Sequence, residues 1–250
     1  MQTIIPSTSK ALTSLLRADF TTQWRNRRSV VLVLLVPVII LISWKGLIEK
    51  LGGAFALSNC ITIGLTAVGL MGYSNAIARD RDKGIFQRLR VAPVPVWTIM
   101  VSRLLVQLAM ILLVTTAVFV AGHYYDKVTL TARAYTMGYL MSVVGGALYL
   151  GLGQAIVGRI KNAETVNSTT RLVYFVFIMV GMFGDLGMLG DKVNNIVKWS
   201  PYGAVKHIIS AALQPGTWSS ETSIYLLVTI GYAFVFSVLG IKWFKWNSSK

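Results

Sequence analysis

Six apolar runs, separated by short polar or charged segments, constrain this 250-residue chain more than any other feature. The hydrocarbon core of a bilayer is about 30 Å thick, so a spanning helix needs roughly 20 mostly apolar residues. The runs lie at Val30–Trp44, Ala54–Ala78, Trp97–Ala121, Tyr135–Val157, Leu172–Leu189 and Thr222–Gly240. This pattern predicts an all-α membrane protein with six transmembrane helices.

The composition supports a membrane location. Hydrophobic residues make up 54% of the chain and charged residues 13%, whereas a soluble domain carries about 25% charged residues. The apolar runs leave no stretch long enough for a separate soluble domain, so residues 1–250 are predicted to form a single transmembrane domain. Cys60 is the only cysteine, which excludes an intrachain disulfide.

The formal net charge of +15 comes from basic residues in the segments that flank the apolar runs. Anionic headgroups and membrane topology explain such a charge more simply than nucleic-acid binding does. Six spans place both termini on one side, and 17 of the 24 lysine and arginine residues then fall on that side. Basic loops stay in the cytoplasm, so we expect a multi-pass protein of the cell membrane with cytoplasmic termini.

Two segments outside the spans carry helical patterns. In residues 7–28, apolar side chains recur at three- and four-residue steps and basic ones occupy the other face, which predicts an interfacial amphipathic helix lying on the membrane. Its marker residues are Leu12, Leu16, Arg17, Phe20, Trp24 and Arg25. Residues 190–220 are too polar to span but include an apolar stretch between two prolines, which predicts an outer, partly re-entrant helical segment before the last span.

The loop at residues 79–96, between the second and third spans, is the densest block of charge. Asp80 and Asp82 precede Gly84, and Phe86 and Leu89 then recur at helical spacing before two prolines end the segment. This pattern predicts a short amphipathic helix in a cytoplasmic loop. An ordinary positively charged loop is the simpler alternative. Arg103, early in the third span, is expected to extend to the nearby membrane surface.

This order of parts resembles the signature loop of type-2 ABC (ATP-binding cassette) exporter permeases, where a charged cluster, a Gly, a Leu-Arg pair and a Pro-containing turn precede the third membrane helix. The resemblance implies a coupling helix that docks on a separate ATPase subunit. On this chain the docking positions would be Asp80, Asp82, Gly84, Phe86, Leu89 and Arg90. The run from Trp199 to Tyr202 is similar to a Ser-Pro turn of the same family.

The resemblance also implies a homodimer with two copies of the ATPase, which would bind ATP and Mg²⁺. This chain itself has no Gly-x-x-x-x-Gly-Lys-[Ser/Thr] loop, so we expect it to hold no cofactor and to be a transport subunit, not an enzyme. Closure of the ATPases would move the coupling and interfacial helices as a lever. No residue is assigned a catalytic or metal-binding role.

Adaptable Met and aromatic side chains suit varied apolar ligands, so the exported cargo is expected to be hydrophobic or amphipathic, such as a drug, lipid or peptide-like molecule. Candidate residues of its path are Asn59, Tyr73, Phe175, Phe177, Met179 and Phe183.

Three other classes remain open on the sequence. An ion-coupled secondary transporter or a channel usually needs ionisable groups near mid-membrane, and the predicted spans have few, Asp185 being the nearest. An intramembrane enzyme would depend on His123, His207 or Asp185, without a recognisable hydrolase or metalloprotease motif. A non-transporting assembly or immunity factor would share the helix plan without exporting anything.

Overall fold

A computed structural model describes residues 7–25, 27–90 and 95–244, apart from the side chains of Arg28, Ser29, Leu89, Arg90, Val96 and Asp185. Nearly all of these residues are helical, and the described ranges contain no strand. In chain order the helices are α1 (Thr8–Arg25), α2 (Arg27–Ser43), α3 (Lys45–Leu51), α4 (Gly53–Thr66), a π-helical segment (Ala67–Tyr73), α5 (Ser74–Asp82), α6 (Ile85–Arg90), α7 (Val96–Tyr124), α8 (Ala132–Arg159), α9 (Ala163–Asp185), α10 (Asp191–Trp199), α11 (Pro201–Leu213), a 3₁₀ turn (Pro215–Thr217) and α12 (Ser220–Trp243).

Five helical stretches in the described part of the chain are long and apolar enough to cross a membrane. They are the continuous run from α4 to α5, then α7, α8, α9 and α12. The bent pair of α1 and α2 raises the number to six if it counts as one broken span. The prediction of an all-α protein with several membrane spans is therefore confirmed at this level.

Several helices extend beyond the predicted apolar runs. The second span continues to Asp82, so the acidic residues predicted to open the loop lie on its last turn. Helix α9 begins at Ala163 instead of Leu172, and Lys45–Leu51 is a short helix where a loop was expected. Hydropathy marks where a bilayer would end, whereas a helix continues into the interface as long as its backbone hydrogen bonds are made.

The run from α4 to α5 forms the centre of the helical body, because α2, α7, α8, α9 and α11 all pack against parts of it. Its π-helical segment lies directly on α8. A Cβ atom added to Gly153 would lie 2.5 Å from the carbonyl oxygen of Gly69 and 2.5 Å from Ser74 Oγ, so only glycine permits this approach. Ser74 Oγ donates to the same carbonyl at 2.9 Å.

Helices α10 and α11 form a hairpin that enters the body. Ser200 caps α11 by accepting from the Gly203 backbone N–H at 3.1 Å, and Pro201 occupies the first turn, where it costs no hydrogen bond. The tip of the hairpin lies beside the middle of α8 and α12: Tyr149 OH contacts the Pro201 carbonyl at 3.4 Å and Tyr232 OH donates to the Trp199 carbonyl at 3.1 Å. Entry of this segment into a bilayer stays a prediction.

The two ends of the helical body are formed by different elements. One end, called the α6 end, holds α1, the last turn of α5, α6, the first turns of α7 and the C-terminal turns of α8 and α12. The opposite end holds α3 and the turn at residues 125–131.

Candidate functional site

Arg103 joins four elements at the α6 end. It lies in the second turn of α7, and its Nη1 donates to Asp80 Oδ2 on α5 at 2.5 Å. Its Nη2 lies 4.0 Å from Asp19 Oδ1 on α1, and its guanidinium carbon lies 5.0 Å from the centre of the Phe86 ring on α6. The side chain is only 11% exposed because these contacts enclose it, and its extension to a membrane surface stays a prediction. A partly desolvated cation with two carboxylates and an aromatic face ties these helices together.

Helix α1 is fixed to α7 by a second polar contact. Ser102 Oγ donates to Asp19 Oδ2 at 2.6 Å, next to the Arg103 contact. Leu15 packs against the core of the body, while Phe20 and Trp24 are 46% and 62% exposed. Helix α1 therefore has one face on the body and leaves large apolar side chains uncovered. Its contact with a membrane surface stays a prediction.

Helix α6 is held by its aromatic residue. Phe86 is fully buried and makes an edge-to-face contact with Phe244, just after α12, with ring centres 5.7 Å apart. Gly84 has a φ of 67°, which lets the chain turn sharply between α5 and α6. Because Phe86 also lies under Arg103, movement of α6 would act on α7 and α12.

Arg81 fixes α5 to the end of α8. The residue is 1% exposed, and its guanidinium donates to the carbonyl oxygens of Val157, Ile160 and Lys161, each at 2.7 Å. The last carbonyls of a helix have no partner within the helix, so a buried arginine can bind several of them at once. Sequence analysis treated Arg81 only as part of the charged loop at residues 79–96 and did not predict this role.

The predicted docking residues do not share one environment. Asp80 is paired with Arg103, Gly84 forms the turn and Phe86 is buried, so these three position α6. Asp82 is exposed, and exposed polar side chains near it on α5, α6 and the turn are Lys83, Gln87 and Arg88. The side chains of Leu89 and Arg90 lie outside the described residues.

The predicted path residues fall into two groups. Asn59, Phe177 and Met179 lie around Tyr202, whose hydroxyl donates to Asn59 Oδ1 at 3.0 Å. The others lie apart from that cluster: Tyr73 donates to Gln154 Oε1 at 2.8 Å, Phe175 is 60% exposed and Phe183 is half-buried on α9. Their role in a substrate path stays a prediction.

Two cavities of similar size flank α5. The first, about 630 Å³, lies between α1, α5, α6 and α7 and includes Tyr73 and Arg103 in its wall. The second, about 610 Å³, is a groove between α2, the π-helical segment with α5, and α9. Arg79 contributes to both. Within the described residues, no three His, Cys, Asp or Glu side chains are grouped so that they could hold a metal ion.

Comparison with known proteins identifies the class that this helical body defines. The family model described as ABC-2 type transporter matches residues 10–214, which include most of α1, the α5–α6 turn and the α10–α11 hairpin. The chain therefore belongs to the ABC-2 type transporter family, a family of membrane transport subunits. Among curated proteins it is similar to "Putative transport permease YvfS" of Bacillus subtilis (strain 168), with 22% identity over 183 residues that cover 73% of this chain and 69% of the relative.

Proposed function

We propose that the chain is the membrane-spanning permease subunit of an ATP-driven exporter and works as a homodimer with two copies of a separate ABC ATPase. The α6 end faces the cytoplasm, where most of the basic residues would lie, and the protein resides in the cell membrane. ATP and Mg²⁺ are bound by the ATPase subunits. The observation that carries this proposal is the contact of Arg103 with α1, α5 and α6 in a member of this family.

The geometry suits transfer of motion from α6 into the spans. A displacement of α6 would be transmitted to α7 through the Phe86–Arg103 contact and to the end of α12 through Phe244. It would be transmitted to α1 through the contact of Arg103 with Asp19. The Arg81 hydrogen bonds connect the same end of α5 to the end of α8. The exposed side chains of α6 and of the turn before it, on the outer surface of this cluster, form the docking surface in this proposal.

The groove between α2, α5 and α9 favours an amphipathic cargo. Apolar side chains of α2 and the π-helical segment form one wall, among them Leu32, Val36 and Met71. Arg79 and Arg171 contribute basic groups elsewhere in the groove. A molecule with an apolar body and an anionic or hydrogen-bonding head would find partners for both parts there.

One chain leaves apolar surface uncovered on which a second copy can pack. Most of the surface of the membrane-length helices α9 and α12 is not covered by the rest of the chain, and the exposed side chains include Phe175 on α9 and Phe234 on α12. In the proposed dimer one such face packs on the second copy and another faces lipid.

The test is co-expression of the tagged full chain with an ATP-binding subunit, followed by affinity purification in detergent. Arg88→Glu on the exposed side of α6 should reduce ATPase recovery severalfold, and the matched change Arg133→Glu at the opposite end should not. Recovery unchanged by Arg88→Glu and by further exposed α5–α6 charge reversals would refute the docking surface. Transport that follows an ion gradient without any ATPase would instead identify a secondary carrier.

A further inference from the structure

The cavity beneath α1 has two chemically distinct parts. Leu15 and Ala18 from α1 face Ile77 from α5 and Val106 from α7, which gives the cavity an apolar side. Most of the other lining residues are polar or charged. A volume of about 630 Å³ is large enough for a polar headgroup together with the first part of an apolar chain.

Gln107 and Arg103 form the buried part of the wall. Gln107 is 4% exposed, and its Oε1 has no hydrogen-bond partner among the described residues. Arg103 Nε also lacks a partner among them, although both Nη atoms of this side chain face carboxylates. Both unpaired atoms are closed to solvent, so the groups that a ligand in the cavity can reach are the more exposed basic side chains of the wall.

The charge around the cavity favours an anion. Asp19 and Asp80 are already engaged by Arg103 and Ser102. Three further basic side chains in the wall take part in no ion pair among the residues that the structure describes: Arg25, Arg79 and Lys83. The wall therefore keeps a positive excess after its internal pairs are counted.

We propose that this cavity binds the headgroup of an anionic glycerophospholipid of the phosphatidylglycerol type. The phosphate lies among the basic side chains of Arg25, Arg79 and Lys83, which balance its charge. The glycerol backbone and the start of the acyl chains pack on Leu15 and Ile77. The exposed Phe20 and Trp24 on α1 favour a membrane lipid over a soluble phosphate.

The lipid would bridge α1 to α5 and α7, next to the Arg103 contacts. It would therefore act as a structural component of the α6 end, independently of any cargo and of the proposed transport activity.

The experiment measures lipid binding to the delipidated full chain in detergent by native mass spectrometry. Phosphatidylglycerol should bind about tenfold more tightly than phosphatidylcholine, because only the former carries a net negative charge. Arg25→Ala and Lys83→Ala should each weaken phosphatidylglycerol binding several-fold. Arg133→Ala, which removes one exposed charge at the opposite end of the body, is the matched control and should leave binding unchanged.

Arg25 and Lys83 are exposed, so neither substitution should impair folding. Equal affinity for the two lipids, or loss of binding with Arg133→Ala equal to that with Lys83→Ala, would overturn the proposal. Soluble glycerol phosphate that competes as strongly as the lipid would show a site for a free anion and would overturn it as well.

Discussion

Replacing Arg81 by methionine should destabilise the protein strongly. The change keeps much of the apolar volume of the side chain but removes three hydrogen bonds, to the carbonyl of Val157 in the last turn of α8 and to those of Ile160 and Lys161 just after it. Those carbonyls would then lie beside an apolar side chain. The matched control is Arg79, an exposed arginine two positions earlier on the same helix.

The expected magnitude follows from the number and type of these bonds. A hydrogen bond to a charged group contributes about 1.5–3 kcal/mol net, and three bonds to one cation are not additive. Removing the guanidinium also relieves the cost of burying a charge. We therefore expect a loss of about 3–5 kcal/mol, against about 1 kcal/mol or less for Arg79→Met. For a chain of this size, that loss lowers the unfolding midpoint by roughly 6–20 °C.

The assay is thermal unfolding of the purified full chain in one detergent, followed by tryptophan fluorescence at a fixed lipid content. Wild type, Arg81→Met, Arg81→Lys and Arg79→Met are compared. Lysine keeps the charge but cannot reach three carbonyls with a planar fork, so it should give an intermediate loss. A difference of about 2 °C is the smallest shift in the unfolding midpoint that the assay resolves. If the midpoints of Arg81→Met and Arg79→Met differ by less than that, the assignment of Arg81 as the link between α5 and α8 is refuted.

Three further predictions concern other parts of the body. Gly153→Val should cost about 3 kcal/mol or prevent folding, because the added side chain collides with the backbone of the π-helical segment; near-wild-type stability in the same unfolding assay would contradict that packing. Asp80→Asn should cost about 1–3 kcal/mol by removing the charge opposite Arg103, and an unchanged midpoint would show that the ion pair contributes nothing. Burial raises the pKa of Asp126 and nearby Lys45 partly opposes this, so the folded state holds a proton that the unfolded chain loses near pH 4. The free energy of unfolding should therefore fall as pH rises from about 4 through the raised pKa, and Asp126→Asn should abolish that fall. Identical pH profiles of stability for the wild type and Asp126→Asn would contradict this prediction.

The apolar runs predicted the helices well because each spanning helix must present a nearly continuous apolar surface to lipid or to its neighbours. The short helix after Gly84 could also be predicted, since the spacing of its apolar residues and its flanking Gly and Pro residues are local signals. Helix ends were harder to predict, because Asp80 and Asp82 look like loop residues and yet continue the second span. Charge does not end a helix when the backbone hydrogen bonds continue.

The polar contacts that organise the α6 end depend on distant partners. Arg81 binds carbonyls that are 76–80 residues later in the chain, and Arg103 meets an aspartate 23 residues earlier. No local pattern encodes such pairs, because backbone carbonyls leave no signal in a sequence. Lys206, within the segment predicted to be outer, is likewise buried by a distant partner: its ammonium lies 4.7 Å from the centre of the Phe55 ring.

The most direct test of the account asks which end of the body contacts an ATP-binding subunit. Gln87 is exposed on α6, Tyr124 is 75% exposed at the opposite end, and Cys60 is buried, so single thiols can be introduced in a Cys60→Ala chain. After co-expression with an ATP-binding subunit, a short thiol-to-amine reagent should crosslink that subunit to Gln87→Cys and leave Tyr124→Cys unlinked. Crosslinking from Tyr124→Cys with none from Gln87→Cys would contradict the account.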